Sequence, residues 1–307
     1  MQIPHTTLPG LTPPISRIVI GCDNRETFDA GAPVWDAWIE AGGNGFDTAF
    51  VYGRGLHEQV LGQWIAARGI ASKIVVITKG AHTPHCTPQA IAEQLTQSLA
   101  RLQLERSAIY IMHRDNPEVP VGEFVDALNR EISAQRITIY GGSNWSIARF
   151  QAAVDYAITH DLQPPTILNN NLSLAVMEKP VWNGCITSNN PETLSYLRNT
   201  NSVHLSWSSQ ARGYFLPEDL RNRLPEDTRP ETCFGSAANA ERRKRAESMA
   251  KQRGVSAHNI ATAWVLAQPF PSLALVGPRS VAEINSTLPG LNLSLSTADV
   301  KWLNLET

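Results

Sequence analysis

Short apolar runs alternate with amphipathic stretches along almost the whole chain. Residues 18–21, 46–48, 74–79, 109–113, 137–140, 166–169, 203–207 and 273–276 form compact apolar runs bounded by glycine, proline or polar residues, and they predict eight strands. Between them, helical spacing marks 33–41, about 57–68, a stretch opening at Thr87-Pro88, 121–134, 147–160, 192–198, 240–253, 257–266 and a last helix from Ser280. Thr87 as N-cap with Pro88 in the first turn is a strong start signal. Strands alternating with helices, with no composition break that marks a linker, predict a single (β/α)8 TIM barrel over residues 1–307, with an extra helix before strand eight. A doubly wound open sheet is the alternative, but the G-x-G-x-x-G turn expected after its first strand is missing.

Titratable residues fall at the ends of the predicted strands. In GNGFDTAFVYGRGLHEQVLG, residues 43–62, a short apolar approach ends in Asp47, a glycine-flanked turn carries Tyr52, and Leu56, Val60, Leu61 and Trp64 follow at helical spacing. Lys79 ends the next strand and His113 the one after it. In a parallel barrel those ends share one face, where such barrels do chemistry. A phenol placed there can give a proton to a substrate oxygen if a nearby cation lowers its pKa from about 10. Lys79 is that cation, and a lysine ending an apolar strand needs a partner, because an unpaired buried cation costs several kcal/mol. Asp47 supplies it. The bland alternatives are a plain Asp47–Lys79 salt bridge, a rim tyrosine and a core histidine.

Phe50, Trp145, Trp182 and Trp207 fall in loops after strands or at strand ends on the same face, and several are predicted to wall a pocket, with Asn24, Arg25 and Arg114 as polar groups near its rim. Such a lining suits a hydroxylated or sugar-like carbonyl compound. Trp35, Trp38 and Trp64 lie on helices as packing residues.

Charge and composition narrow the classes. A chain of 307 residues with 42% apolar content can bury a large core, and a net charge of -2 gives no broad basic field for nucleic acid or an anionic membrane. No stretch approaches the ~20 apolar residues of a membrane span and the N-terminus lacks a signal pattern, so a cytoplasmic protein is expected. Cys22, Cys86, Cys185 and Cys233 show no C-x-x-C pairing, which predicts reduced thiols rather than disulfides or zinc ligands. His57, His82, His85 and His160 have no matching partners; His82 and His85 lack a third ligand, so no metal is expected. The ERRKR cluster at 241–245 is read as a solvated helix face.

The stretches GFDTAFVYG, ITKG, YIMHR, GGSNW and VGPRS occur in an order and at a spacing that resemble the aldo-keto reductase family, and the resemblance runs from about Ile18 to Asn285. It implies a tetrad of Asp47, Tyr52, Lys79 and His113, with the phenol as general acid, the lysine and its aspartate lowering the phenol's pKa, and the histidine orienting the carbonyl. It implies NADP(H) as cofactor, with Ser143, Asn144 and Asn169 at the nicotinamide carboxamide and Trp207 stacked under the ring. Ser208 and Gly213 would follow the pyrophosphate; Gly277, Arg279 and Ser280 would hold the adenosine phosphate, and Gly21, Cys22 and Glu283 complete the cofactor set. Asn169 stands where the family usually has glutamine, and Trp207 where it usually has tyrosine. Arg279, after a Gly-Pro turn at a helix start, can hold a 2′-phosphate in bidentate fashion, which favours NADP(H) over NAD(H).

The expected function is therefore an NADP(H)-dependent oxidoreductase interconverting a small carbonyl and an alcohol, as monomer or homo-oligomer. A cofactor-binding sensor subunit with little turnover is the alternative. A metal-dependent barrel hydrolase using Asp47, His113 and Asp115 is a third reading, without a convincing ligand set.

Overall fold

The structure, a computed structural model, describes residues 3–200 and 202–306. The strands are β1 (His5–Thr6), β2 (Ile15–Ser16), β3 (Ile18–Gly21), β4 (Gly45–Asp47), β5 (Val75–Gly80), β6 (Ser107–Met112), β7 (Ile137–Ser143), β8 (Ile167–Asn169), β9 (Val203–Ser206) and β10 (Ser272–Val276). The antiparallel pair β1–β2 precedes eight parallel strands, β3 to β10, that form a closed barrel surrounded by helices. Every residue of β3, β4, β5, β8 and β9 is buried, as expected for parallel strands covered on both faces.

Contacts divide the described chain into two bodies, one of residues 3–169 with 277–281, the other of residues 170–200, 202–276 and 282–306. In the first body six strands pair in sequence, with Gly21 beside Asp47, Asp47 beside Ile77, Lys79 beside Ile111, Met112 beside Gly142 and Ser143 beside Asn169. That register brings the C-terminal ends of neighbouring strands together, and with them the titratable residues. The helices Phe28–Glu40, Leu56–Arg68, Pro88–Leu102, Val121–Ser133 and Ile147–Thr159 follow β3 to β7 in turn. In the second body β9 and β10 pair through His204–Ser272 and Ser206–Ala274, and the helices Ala237–Arg253 and Ala257–Leu266 both fall between them in the chain.

Side-chain caps explain several helix starts. Thr87, Ser146 and Ser236 each accept a hydrogen bond from the backbone N–H three residues on, as N-cap side chains do. Thr27 does the same for the first helix, which therefore begins at Phe28 and not at the predicted residue 33. Pro33 sits inside it as the sixth helical residue, where it lacks the N–H that would donate to the Asp29 carbonyl, and Trp35 and Trp38 fix the helix's buried face. Strand β7 runs three residues past the predicted end. A Cβ at Gly141 would lie 2.0 Å from the Ile167 carbonyl oxygen, so only glycine lets β7 continue beside β8. The helix predicted from Ser280 is Val281–Thr287, and it is not the last: Thr297–Leu303 follows, capped by the reciprocal pair Ser296 and Asp299. Trp207 lies one residue outside β9 and pairs as an isolated bridge with Asn171.

Candidate active site

Asp47 ends β4 and Lys79 is the penultimate residue of β5, and their side chains form an ion pair with almost no exposure on either partner. The Lys79 ammonium also reaches the Thr48 carbonyl oxygen at 3.3 Å. Tyr52 opens a tight turn, Tyr52–Gly55, whose next three residues have positive φ. Its ring lies 5.2 Å from Lys79 Nζ and meets the His113 ring edge-on, with centroids 5.6 Å apart. His113 follows β6 directly and donates its backbone N–H to the Gly80 carbonyl at 2.7 Å. The structure thus gathers all four predicted residues in the first body, from three neighbouring strand ends.

Burial governs the charges. At Lys79 desolvation pulls the pKa down, but Asp47 and Tyr52 pull it up further, so the ammonium keeps its proton. At Asp47 desolvation raises the carboxyl and Lys79 opposes it, with a net upward shift. The Tyr52 phenol is raised to about 12: burial outweighs the lowering by Lys79, and Asp47 adds to the rise. The expected lowering by Lys79 is present, but in the protein alone it is the smaller effect. His113 is driven well below the ordinary histidine value by burial first, then by Lys79, His82 and Arg114. It is neutral at pH 7 and carries one ring N–H. Its buried Nδ1 and Asp47 Oδ1 have no hydrogen-bond partner in the protein, which leaves polar capacity inside the site.

His82 is the residue that sequence spacing missed. Its ring packs edge-on against His113 at 4.8 Å, and its Nδ1 lies 2.7 Å from the Thr83 carbonyl oxygen. Ala81, just before it, is left-handed at φ 54 and donates its N–H to Gln94 Oε1 at 2.7 Å. That turn directs His82 toward His113, and no residue pattern announces it. Among the described residues no three His, Cys, Asp or Glu side chains stand close enough to hold a metal ion.

The other sequence-derived residues fall as follows. Ser143, Asn144 and Asn169 are all buried at the ends of β7 and β8; Asn144, at φ 58, donates to Ser143 Oγ at 3.1 Å, and its N–H reaches the Asn169 carbonyl at 3.3 Å. Hydroxyl and amide groups so placed offer the donors and acceptors that a carboxamide requires, so their chemistry fits a nicotinamide. Gly21 and Cys22 are buried beside Asp47, the Cys22 N–H donating to the Asp47 carbonyl at 2.8 Å, while burial and then Asp47 hold the Cys22 thiol protonated. Asn24 Oδ1 accepts from Arg25 at 2.6 Å, and the buried Arg25 also donates to the Pro278 carbonyl at 2.8 Å. Arg25 thus ties the loop after β3 to the segment holding Gly277, Arg279 and Ser280, of which Gly277 and Arg279 are exposed.

Phe50 is half-buried, Trp145 is fully buried with Nε1 donating to the Arg114 carbonyl at 3.3 Å, and Arg114 donates to the His113 carbonyl at 3.1 Å. In the second body Trp207 is 8% exposed, with Trp182 tilted against it at 6.0 Å; Trp182 is 54% exposed and carries the Arg212 guanidinium 5.5 Å from its ring. Ser208, Ala211, Arg212 and Gly213 all have positive φ, and within this turn the Ala211 and Gly213 N–H groups donate to the carbonyls of Ser208 at 2.8 Å and Gln210 at 3.1 Å. Glu283 is exposed on the helix Val281–Thr287. Among the described residues no helix is long and apolar enough to cross a membrane.

Residues 23–304 match the model of the Aldo/keto reductase family. The chain is 28% identical to the aldo-keto reductase YhdN of Bacillus subtilis, covering 84% of this chain and 77% of that protein. It is 26% identical to a putative voltage-gated potassium channel subunit beta of Schizosaccharomyces pombe, over 86% of this chain and 78% of that one. It is 23% identical to the versiconal hemiacetal acetate reductase of Aspergillus parasiticus, over 94% and 92%.

Proposed function

The chain belongs to the Aldo/keto reductase family, carbonyl–alcohol oxidoreductases that use NAD(P)H, and we propose that it reduces a small carbonyl compound with NADPH, Tyr52 acting as the general acid. The observation that carries this is the buried Asp47–Lys79 pair set against the Tyr52 ring and a neutral His113. When bound, the nicotinamide supplies the hydride. Tyr52 O–H donates its proton to the oxygen that becomes an alkoxide, and Lys79 stabilises the phenolate left behind. Asp47 keeps Lys79 charged, and the ring N–H of His113 orients the carbonyl oxygen. Ser143, Asn144 and Asn169 hold the carboxamide and Trp207 stacks on the ring. Phe50, Arg114, Trp145 and Trp182 are proposed to line the substrate side. The test is turnover of an aldehyde and ketone panel with NADPH and NADH.

Arg279 is proposed to bind the 2′-phosphate, with Gly277 and Ser280 beside it and Arg25 fixing the turn through Pro278. Arg279→Ala is expected to weaken NADPH binding by roughly 1.5–3 kcal/mol and to leave NADH nearly unchanged. Equal losses for both nucleotides in a titration would remove it as the reader of the phosphate. NADPH is likewise expected to quench tryptophan fluorescence, largely through Trp207. If Trp207→Leu keeps the full quench and affinity, the stacking assignment is wrong.

The resemblance to a protein named as a potassium channel subunit favours one second reading, a nucleotide-binding regulatory subunit with little turnover. Tight NADPH binding with no reduction of any carbonyl in the panel would select it.

A further inference from the structure

The turn that carries Tyr52 places three consecutive residues in the left-handed region, one of them not a glycine. Gly53, Arg54 and Gly55 have φ of 54, 55 and 91, and a non-glycine residue in the left-handed region costs about 1 kcal/mol or more. On one side the turn is anchored to the catalytic strand, since the Phe50 N–H donates to the Lys79 carbonyl at 2.8 Å. On the other it meets Arg101, in the last turn of the helix Pro88–Leu102. Arg101 Nη1 donates to the Phe50 carbonyl at 3.2 Å and to Glu58 Oε2 at 3.0 Å, and Nη2 lies 3.4 Å from Gln97 Oε1. The guanidinium centre lies 4.5 Å from the centroid of the Phe50 ring. It also lies against Gly55, where a Cβ would come within 2.4 Å of Arg101 Cζ. Glu58 belongs to the first turn of the helix Leu56–Arg68, directly after the strained turn, and its side chain is fully buried.

One guanidinium therefore touches both ends of the Phe50–Gly55 segment and the helix that follows. Lysine cannot repeat this, because its single ammonium lacks the planar fork that serves Phe50, Glu58 and Gln97 together while stacking on a ring.

We infer that Arg101, fixed by Glu58, is a positioning residue that clamps the Phe50–Gly55 turn and so sets the place of the Tyr52 phenol relative to Lys79 and His113. This rests on the reading of Tyr52 as proton donor. Arg101 does not touch the reacting atoms; it acts through the backbone on either side of them. Its pairing with Glu58 explains why a carboxylate is buried in that first turn, where burial raises its pKa against the pull of Ser98 and Arg101.

The test uses the double variant Glu58→Gln/Arg101→Met, which removes both charges together and leaves no carboxylate stranded. Expected are a folded protein by circular dichroism, NADPH affinity within about twofold of the parent, and kcat lower by about tenfold, because a small displacement of a catalytic group slows the chemical step more than binding. In parallel, ring-labelled tyrosine NMR follows the Tyr52 signal, identified by its loss in Tyr52→Phe, and the signal is expected to move. Where the parent reduces a carbonyl, kcat decides: a value within about twofold of the parent, or an NADPH affinity that falls as far as kcat, overturns the clamp. Where the parent reduces none, the proposed function has failed, and the clamp is judged on the Tyr52 signal alone, which overturns it by staying in place. Should the double variant not fold, Arg101→Lys takes its place, with about a threefold fall in kcat expected and an unchanged kcat overturning the inference.

Discussion

Tyr52→Phe is expected to slow carbonyl reduction by ~10²-fold or more while leaving fold and NADPH affinity in place. Phenylalanine keeps the ring that packs edge-on against His113 and lies 5.2 Å from Lys79, so the site loses one hydroxyl and little of its packing. Burial raises the phenol to about 12, which keeps it protonated across the neutral range, as a donor must be. As the proposed acid it would give the proton up because negative charge builds on the substrate oxygen in the transition state, with Lys79 placed to stabilise the phenolate. Single-turnover oxidation of NADPH measures the step directly. A rate within about threefold of the parent would remove Tyr52 as the acid and favour the regulatory reading.

Lys79→Met is expected to act twice, abolishing most turnover and weakening the fold. The turnover loss, ~10²-fold or more, would follow from losing the cation proposed to stabilise the phenolate. The stability loss follows from Asp47, which is 1% exposed and would be left buried without its partner, an arrangement that costs about 3–5 kcal/mol when one member of a buried pair is removed. Denaturant unfolding and turnover separate the two effects. Adding Asp47→Asn to Lys79→Met should recover much of the stability, because no charge is then stranded, yet none of the turnover. Recovery of turnover in the double variant would make the pair a structural salt bridge and nothing more.

Much of the barrel was legible along the chain because each parallel strand is buried on both faces and so must be a short apolar run. Strand β3 falls at residues 18–21 as predicted, and Asp47, Lys79 and His113 were placed at or next to strand ends because those are the first positions where an apolar run gives way to charge. Less legible were boundaries that depend on neighbours. The start of the first helix rests on the Thr27 cap and on the burial of Trp35 and Trp38, and the extension of β7 rests on Gly141 passing against Ile167.

Which residue types stand at the ends of which strands can be read from the chain, since local hydrophobicity and turn chemistry suffice for that. How those residues act on one another depends on packing between distant segments. His82 meets His113 across an interval of the chain with no repeating pattern, and Arg101 reaches Glu58 and Phe50 over separations of 43 and 51 residues. The same holds for the charges: spacing shows a cation near a phenol, but the sign of the Tyr52 shift depends on how completely the site excludes water. Desolvation is a property of the packed surroundings, contributed by residues from many strands and helices, and no stretch of chain carries it alone.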